Sequence, residues 1–304
     1  MRRLALLLLP FLTGCYILTQ AAGQIRMLLD SRNIDELLAD PSVPGGTKLK
    51  LLRIREIKSF GESELGLSRS ANYESFYDTK GRPITYIVSA CRKDRFQPHT
   101  WWFPIVGEVP YKGFFDREDA RAEALGLEAQ GFDVALGTAA AYSTLGYFPD
   151  PVLSTMLDYP DEQLVALILH ELTHGTIYLP GGTDFNEGLA SFVGWQGALE
   201  FARRRHGIAS EQYDRTVRAF ASEERRDAKA RELFKKLDEL YRSNLPREET
   251  LKLREKIAGG KVNNAEILMQ RRYGRYDEFR VLFEKAEGDW SRFFEALVRE
   301  KGKT

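Results

Sequence analysis

A chain of 304 residues is long enough for one large domain or two small ones, with a sizeable core in either case. Lys plus Arg equals Asp plus Glu at 44 each, so no basic excess faces a phosphate backbone and the general electrostatic case for nucleic acid as a partner falls away. At 43% apolar and 29% charged residues, the composition is that of a globular protein, without internal repeats or low-complexity tracts.

The first residues, MRRLALLLLPFLTGCY, carry two arginines, an apolar run from Leu4 to Leu12 and small residues ending at Cys15. The run is shorter than the about 20 residues a membrane-spanning helix needs, so it reads as a cleaved secretory signal. Leu12-Thr13-Gly14-Cys15 resembles the lipobox of bacterial lipoproteins, in which cleavage leaves an acylated cysteine as the first mature residue. An ordinary signal peptide with an incidental cysteine is the competing reading. The resemblance implies a signal peptide over residues 1–14, lipidation of Cys15 and a membrane partner through the lipid anchor. Tyr16, standing where Asp would retain the chain, implies an outer-membrane lipoprotein facing the periplasm. With Cys15 lipidated, Cys91 in the apolar run ITYIVSACR has no disulfide partner and reads as a buried structural thiol.

Residues 15–60 show helical spacing and read as an N-terminal helical arm that returns to pack on the body. Ile17, Ala21, Ile25, Leu28 and Leu29 form one apolar face, and Ile34, Leu37 and Leu38 begin another. Pro41 and Pro44-Gly45-Gly46 separate these from a helix over Leu49 to Phe60. A β-rich and helical catalytic region follows over residues 61–207. It opens with two β-prone runs around Thr79-Lys80-Gly81-Arg82, a hairpin signal. The aromatic stretch TWWFPIVGEVPYKGFF, broken by Pro104 and Pro110, predicts edge strands and substrate-facing loops. Asp116 is placed to cap a helix that ends near Gly131, and DVALGTAAAYSTLGYF returns as one or two strands.

From Pro160 onward the pattern is almost wholly helical. Asp161 is placed to cap a helix running to about Tyr178, and a second helix starts near Asp184. Residues 208–304 form a C-terminal helical region, one compact unit with the catalytic region. Within it Glu211–Ile257 reads as a charged helix pair broken at Pro246, and Asn264–Arg272 and Glu278–Arg299 as two further amphipathic pieces. The charged pair, or the helices before Leu49, could serve as a cover that restrains activity.

The chemistry concentrates in LVALILHELTHGTIYLPGGTDFNEGLASFVG, which holds two of the four histidines. On a helix, His170 and His174 are one turn apart and project from the same face. Glu171 lies about 100° round, within reach of a water held between them. His-Glu-x-x-His is the arrangement that binds Zn²⁺ and sets a general base beside it. A catalytic zinc takes three protein ligands. A third histidine six residues after His174 is ruled out, because position 180 is Pro180. Glu187 on the following helix is the preferred third ligand and Asp184 the substitute. Three ionisable groups in an apolar run would be costly to bury without a compensating cation. Asp184 and Ser191 are placed to orient a ligand from behind.

The pair Asn186-Glu187 on the second helix makes the stretch resemble the gluzincin metallopeptidases. Together with WWFPIVGEVPYKGFFD, YSTLGYFPDPVLSTML and DFNEGLASFVG, it looks like a bacterial family of predicted aminopeptidases, often lipoproteins. The resemblance implies an α+β, gluzincin-like zinc-peptidase body with a small mixed or antiparallel sheet, a zinc-binding helix pair and a mostly helical C-terminal half. It implies hydrolysis of peptide or small-protein substrates, with a zinc-activated water as nucleophile and Glu171 as general base. It also implies a Tyr or His that stabilises the oxyanion. Tyr142, Tyr147, Tyr178 and Tyr273 are the candidates, with Tyr273 favoured by its order along the chain. Two departures stand out. Only twelve residues separate His174 from Glu187. The Gly-x-Met-Glu-Asn strand that grips a free amino terminus is missing, so the residues fit an endopeptidase equally well. A non-catalytic or latent zinc lipoprotein acting as an interaction protein is the competing class.

Overall fold

The computed structural model describes residues 23–103, 107–139, 141, 149–274 and 276–301. The expected signal sequence and Cys15, and the candidates Tyr142 and Tyr147, lie outside the described residues. The architecture is mixed α+β, mostly helical with small sheets. Among the described residues no helix is long and apolar enough to cross a membrane.

Residues 23–30 form α1, followed by β1 (Arg32–Asn33), α2 (Ile34–Ala39) and α3 (Gly45–Glu64). Helix α3 is longer than its apolar spacing predicts, because Pro44 takes the N-cap position and the chain stays helical to Glu64. Its Leu51, Ile54, Ile57 and Phe60 recur at three-residue steps and are fully buried. They pack in the main core with Leu164, Ile168, Leu169 and Leu172 of α5 (Asp161–His174) and Leu189, Phe192 and Val193 of α6 (Thr183–His206). Each such side chain contributes about 1.5–3 kcal/mol by leaving water.

The expected hairpin around Thr79–Arg82 does not form. Strand β2 (Ser75–Tyr77) pairs antiparallel with β1, and on its other edge parallel with β8 (Val152–Leu153). Both edges are therefore occupied, and Thr79 is tied to Ser154 through its backbone N–H and its hydroxyl, each at 3.0 Å. The turn exists, with Arg82 N–H donating to the Thr79 carbonyl, but it carries the chain into a different sheet. There β3 (Tyr86–Arg92) is central, antiparallel to β6 (Lys112–Phe114) and β7 (Phe132–Thr138). The aromatic stretch supplies an antiparallel ribbon of β4 (Trp101–Phe103) and β5 (Gly107–Val109), and then β6 at the sheet edge. Helix α4 (Arg117–Ala129), capped by Asp116 as expected, covers the β3–β6–β7 sheet with Ala120, Ala124 and Leu127.

The C-terminal half consists of α7 (Glu211–Tyr241), α8 (Arg247–Ala258), α9 (Asn264–Tyr273), α10 (Tyr276–Lys285) and α11 (Trp290–Lys301). The piece expected over Glu278–Arg299 is thus two helices. Glu287 and Gly288 adopt left-handed backbone, which no α-helix continues through. Helices α8 and α9 dock on the sheet at one buried carboxylate: Arg254 Nη2 of α8 donates to Asp133 Oδ2 at 2.7 Å, and the same oxygen accepts from Asn264 N–H of α9 at 2.9 Å. Trp195 of α6 stacks on Phe220 of α7 at 5.7 Å, nearly parallel. These contacts bring α9 to α5 and α6.

Candidate metal centre

Helix α5 begins at Asp161 with Pro160 as its cap residue, not Asp161. Asp161 instead accepts from Lys50 Nζ at 2.8 Å and from Arg53, which fastens the helix to α3. The helix ends at His174, four residues before Tyr178. Gly175 takes the cap position, and the Thr176 and Ile177 N–H groups fold back on the Thr173 carbonyl. Helix α6 begins at Thr183 with Gly182 before it, so neither Thr183 nor Asp184 is its cap residue.

The two helices cross closely because glycines face the crossing. A Cβ at Gly194 would lie 2.6 Å from the Ala166 carbonyl oxygen and 3.3 Å from His170 Cβ, and one at Gly197 would lie 2.7 Å from Leu169. At this crossing His170 and His174 meet Glu187. The imidazole Nε2 atoms are 3.1 Å apart, and Glu187 Oε2 lies 3.4 Å from His170 Nε2 and 3.6 Å from His174 Nε2. Among the described residues these three form the group able to hold a metal ion, with donor atoms within 4.8 Å of one another. Ligands bonded to one tetrahedral zinc at about 2.0–2.1 Å sit ~3.3 Å apart, so the donor set fits zinc in type and in spacing. The three side chains are 15%, 7% and 14% exposed, a partly open site.

Electrostatics follow from that crowding. Burial alone would raise the Glu187 carboxyl, but the two imidazoles bonded to it hold it well below the usual range. His174 is pulled down by burial and pushed up by Glu187 and by the Glu171 charge, with a net rise. His174 Nδ1 has no hydrogen-bond partner among the described residues. Ser191 Oγ stands 3.4 Å from His170 Nδ1. Asp184 is not among the converging donors and accepts from Arg272 Nε at 3.1 Å. Asn186 braces the turn between the helices by bonding both backbone groups of Leu179.

Glu171 does not join the three donors, and its charge acts on His174, Tyr73, Tyr111 and Tyr273. Tyr273, at the end of α9, sets its ring 6.2 Å from that of His170. The Glu187 carboxylate first, and burial second, keep its phenol above the usual range, although 39% of the residue remains exposed along an open side. Tyr111, between β5 and β6, was not singled out from sequence. Burial and then Glu187 raise its hydroxyl, while Arg272, whose guanidinium lies 5.8 Å from the ring centre, works the other way. The signal for it was the aromatic loop VPYKGFF; nothing in its spacing distinguished this tyrosine. Both phenols hold their protons at neutral pH and are hydrogen-bond donors there. His99, edge-on to Trp101, and His206, 3.4 Å from Arg53, lie elsewhere.

No curated protein and no solved structure matches the chain. Residues 15–260 match the family described as "Putative aminopeptidase". The match spans most of the sequence, and the chain belongs to this family.

Proposed function

We propose that the protein is a zinc-dependent, gluzincin-like peptidase whose metal is held by His170, His174 and Glu187. The observation that carries the reading is the convergence of two imidazole nitrogens and one carboxylate oxygen on one point, with Glu171 on the same helix and outside the donor set. Held by His170, His174 and Glu187, a zinc ion would supply Lewis acidity towards a peptide carbonyl and would make water a nucleophile near neutral pH. Glu171 accepts the proton of the attacking water and passes it to the leaving amine. Tyr273, held protonated beside His170, donates a hydrogen bond to the developing oxyanion, and Tyr111 is the alternative donor. Ser191 orients His170 from behind. The family description supports cleavage from the amino end of peptides. The lipobox supports an outer-membrane lipoprotein anchored at Cys15 and facing the periplasm.

The test is metal content by mass spectrometry on the mature soluble chain from Tyr16, beside Glu171→Gln and His170→Ala, with all three given a mixed peptide library. The expected result is one zinc in the wild type and in Glu171→Gln, none in His170→Ala, and cleavage by the wild type alone. The cut positions separate an aminopeptidase from an endopeptidase. Zinc without cleavage would favour a non-catalytic zinc lipoprotein, and no zinc would overturn the reading.

A further inference from the structure

The segment that presents Tyr273 is gripped from one side by α7. Arg271 lies with its guanidinium 4.1 Å from the centre of the Phe234 ring. Arg231 Nη1 donates to the carbonyl of Gly274, the residue after Tyr273. Asp227, 3% exposed, presses its carboxylate against the same glycine: a Cβ at 274 would lie 2.6 Å from Asp227 Cγ and 2.9 Å from Oδ1. The Tyr276 hydroxyl faces that carboxylate, and Asp227 Oδ2 has no hydrogen-bond partner among the described residues. Helix α7 is in turn stacked onto α6, the helix of Glu187, through Trp195 and Phe220. It buries Thr216, Phe220, Asp227, Ala230 and Leu237 along its length.

We propose that Asp227 and Arg231 are positioning residues that clamp Gly274 and so fix Tyr273 beside His170. The inference rests on the reading of Tyr273 as the oxyanion donor. Packing alone would be met more cheaply by apolar side chains, because a buried carboxylate with an unpaired oxygen is costly. Such polar groups, converging on the one residue after Tyr273, specify its backbone. An alanine at 274 cannot enter without displacing the Asp227 side chain.

The test uses the mature zinc-loaded chain with Arg231→Met, Arg231→Lys, Tyr273→Phe and the Arg231→Met/Tyr273→Phe double variant. A small misplacement of a catalytic group costs about 10–100-fold, so Arg231→Met should lower kcat by that amount with KM and zinc content unchanged. Arg231→Lys should restore part of the loss. In the double variant the loss should equal that of Tyr273→Phe alone. Losses that multiply, or an Arg231→Met with wild-type kcat, overturn the clamp. Should Arg231→Met fail to fold, Gly274→Ala replaces it: kcat should fall, and in the Gly274→Ala/Tyr273→Phe double variant the loss should equal that of Tyr273→Phe alone, whereas losses that multiply overturn the clamp. If Tyr273→Phe costs nothing, the oxyanion reading has failed, and the clamp is judged separately by fluorine NMR with 3-fluorotyrosine at 273. A resonance that shifts in Arg231→Met supports the clamp, and one that does not move overturns it.

Discussion

The side-chain amide of Asn186 satisfies both backbone groups of Leu179: Oδ1 accepts from its N–H and Nδ2 donates to its carbonyl, each at 2.8 Å. Asn186 is almost fully buried and immediately precedes Glu187. The short turn between α5 and α6 is therefore closed by the residue beside Glu187. Asn186→Ala removes both bonds, and because the Leu179 carbonyl still accepts from Gly182 N–H at 2.9 Å, it leaves the Leu179 N–H without its partner and should cost about 1 kcal/mol. It should also weaken zinc retention, because Glu187 loses its bracing. Chemical denaturation and a chelator competition check both; unchanged zinc affinity would show that the turn does not set the ligand.

The glycine at the helix crossing makes a sharper prediction. A Cβ at Gly194 meets a backbone carbonyl, that of Ala166, at 2.6 Å and His170 Cβ at 3.3 Å. A backbone atom cannot swing away, so α5 and α6 must separate. Gly194→Ala should cost about 1–3 kcal/mol, the usual penalty of overpacking, and should lower zinc occupancy. Gly126, inside α4 with open space around it, is the control, and its alanine variant should gain about 0.5–1 kcal/mol and leave zinc occupancy unchanged. Equal melting temperatures for the two variants would contradict the crossing.

Metal affinity should depend on pH in a direction set by His174. In the metal-free protein the Glu187 and Glu171 charges outweigh burial and raise this imidazole above its ordinary 6.5. A proton then competes with zinc already above that pH, and affinity should fall as the solution is acidified from pH 8 to 6. Glu171→Gln removes one of the charges and should move the onset to lower pH. A chromophoric chelator read at several pH values checks this; a flat profile would exclude His174 as a ligand. The metal-free fold responds with two signs. The depressed Glu187 stabilises above its ordinary 4.5, and this contribution is lost as pH falls. The raised His174 stabilises below 6.5, and this is lost as pH rises through its folded value. Between those limits both contributions are present.

Cys91 should behave as an inert core group. It is fully buried on β3, and burial, only partly offset by backbone hydrogen bonds, pushes its thiol up to about 12. Folded protein should resist alkylation at pH 8, where unfolded chains react within minutes, because the thiolate is the nucleophile. The thiol's preference for its neutral form stabilises the fold below about pH 9, and that contribution is lost as pH rises towards 12. Rapid labelling of the native protein would contradict this burial.

The convergence of His170, His174 and Glu187 was legible in the sequence because helical spacing and one short turn place them. His170 and His174 are one turn apart, and a turn of glycines and proline returns Glu187 to the same face. The cap of α4 at Asp116 was legible for the same local reason. The pairing of β2 was not, since whether a strand edge is free depends on β1 and β8, which come from distant parts of the chain. Tyr111 and Arg272 were missed on similar grounds. Each enters the site through a packing of the sheet and α9 on the helix pair that leaves no periodic trace. Tyr273 could be named only by its order along the chain, and its approach to His170 depends on α7 and on the Asn264–Asp133 bond that docks α9.

The narrow spread of the ligands along the chain has a consequence for how the molecule is made. His170, His174 and Glu187 belong to one antiparallel helix pair, so little loop entropy opposes their meeting, whereas Tyr111 and Tyr273 arrive over long sequence separations. The metal-binding hairpin should therefore mature before the cleft around it, and zinc should speed its formation without hastening the docking of α9. Pulse-labelled hydrogen exchange during refolding would resolve the order: with zinc present, α5 and α6 amides should gain protection ahead of those in β3 and α9. Simultaneous protection of all four would mean that nascent protein cannot capture its ion until the whole body has closed.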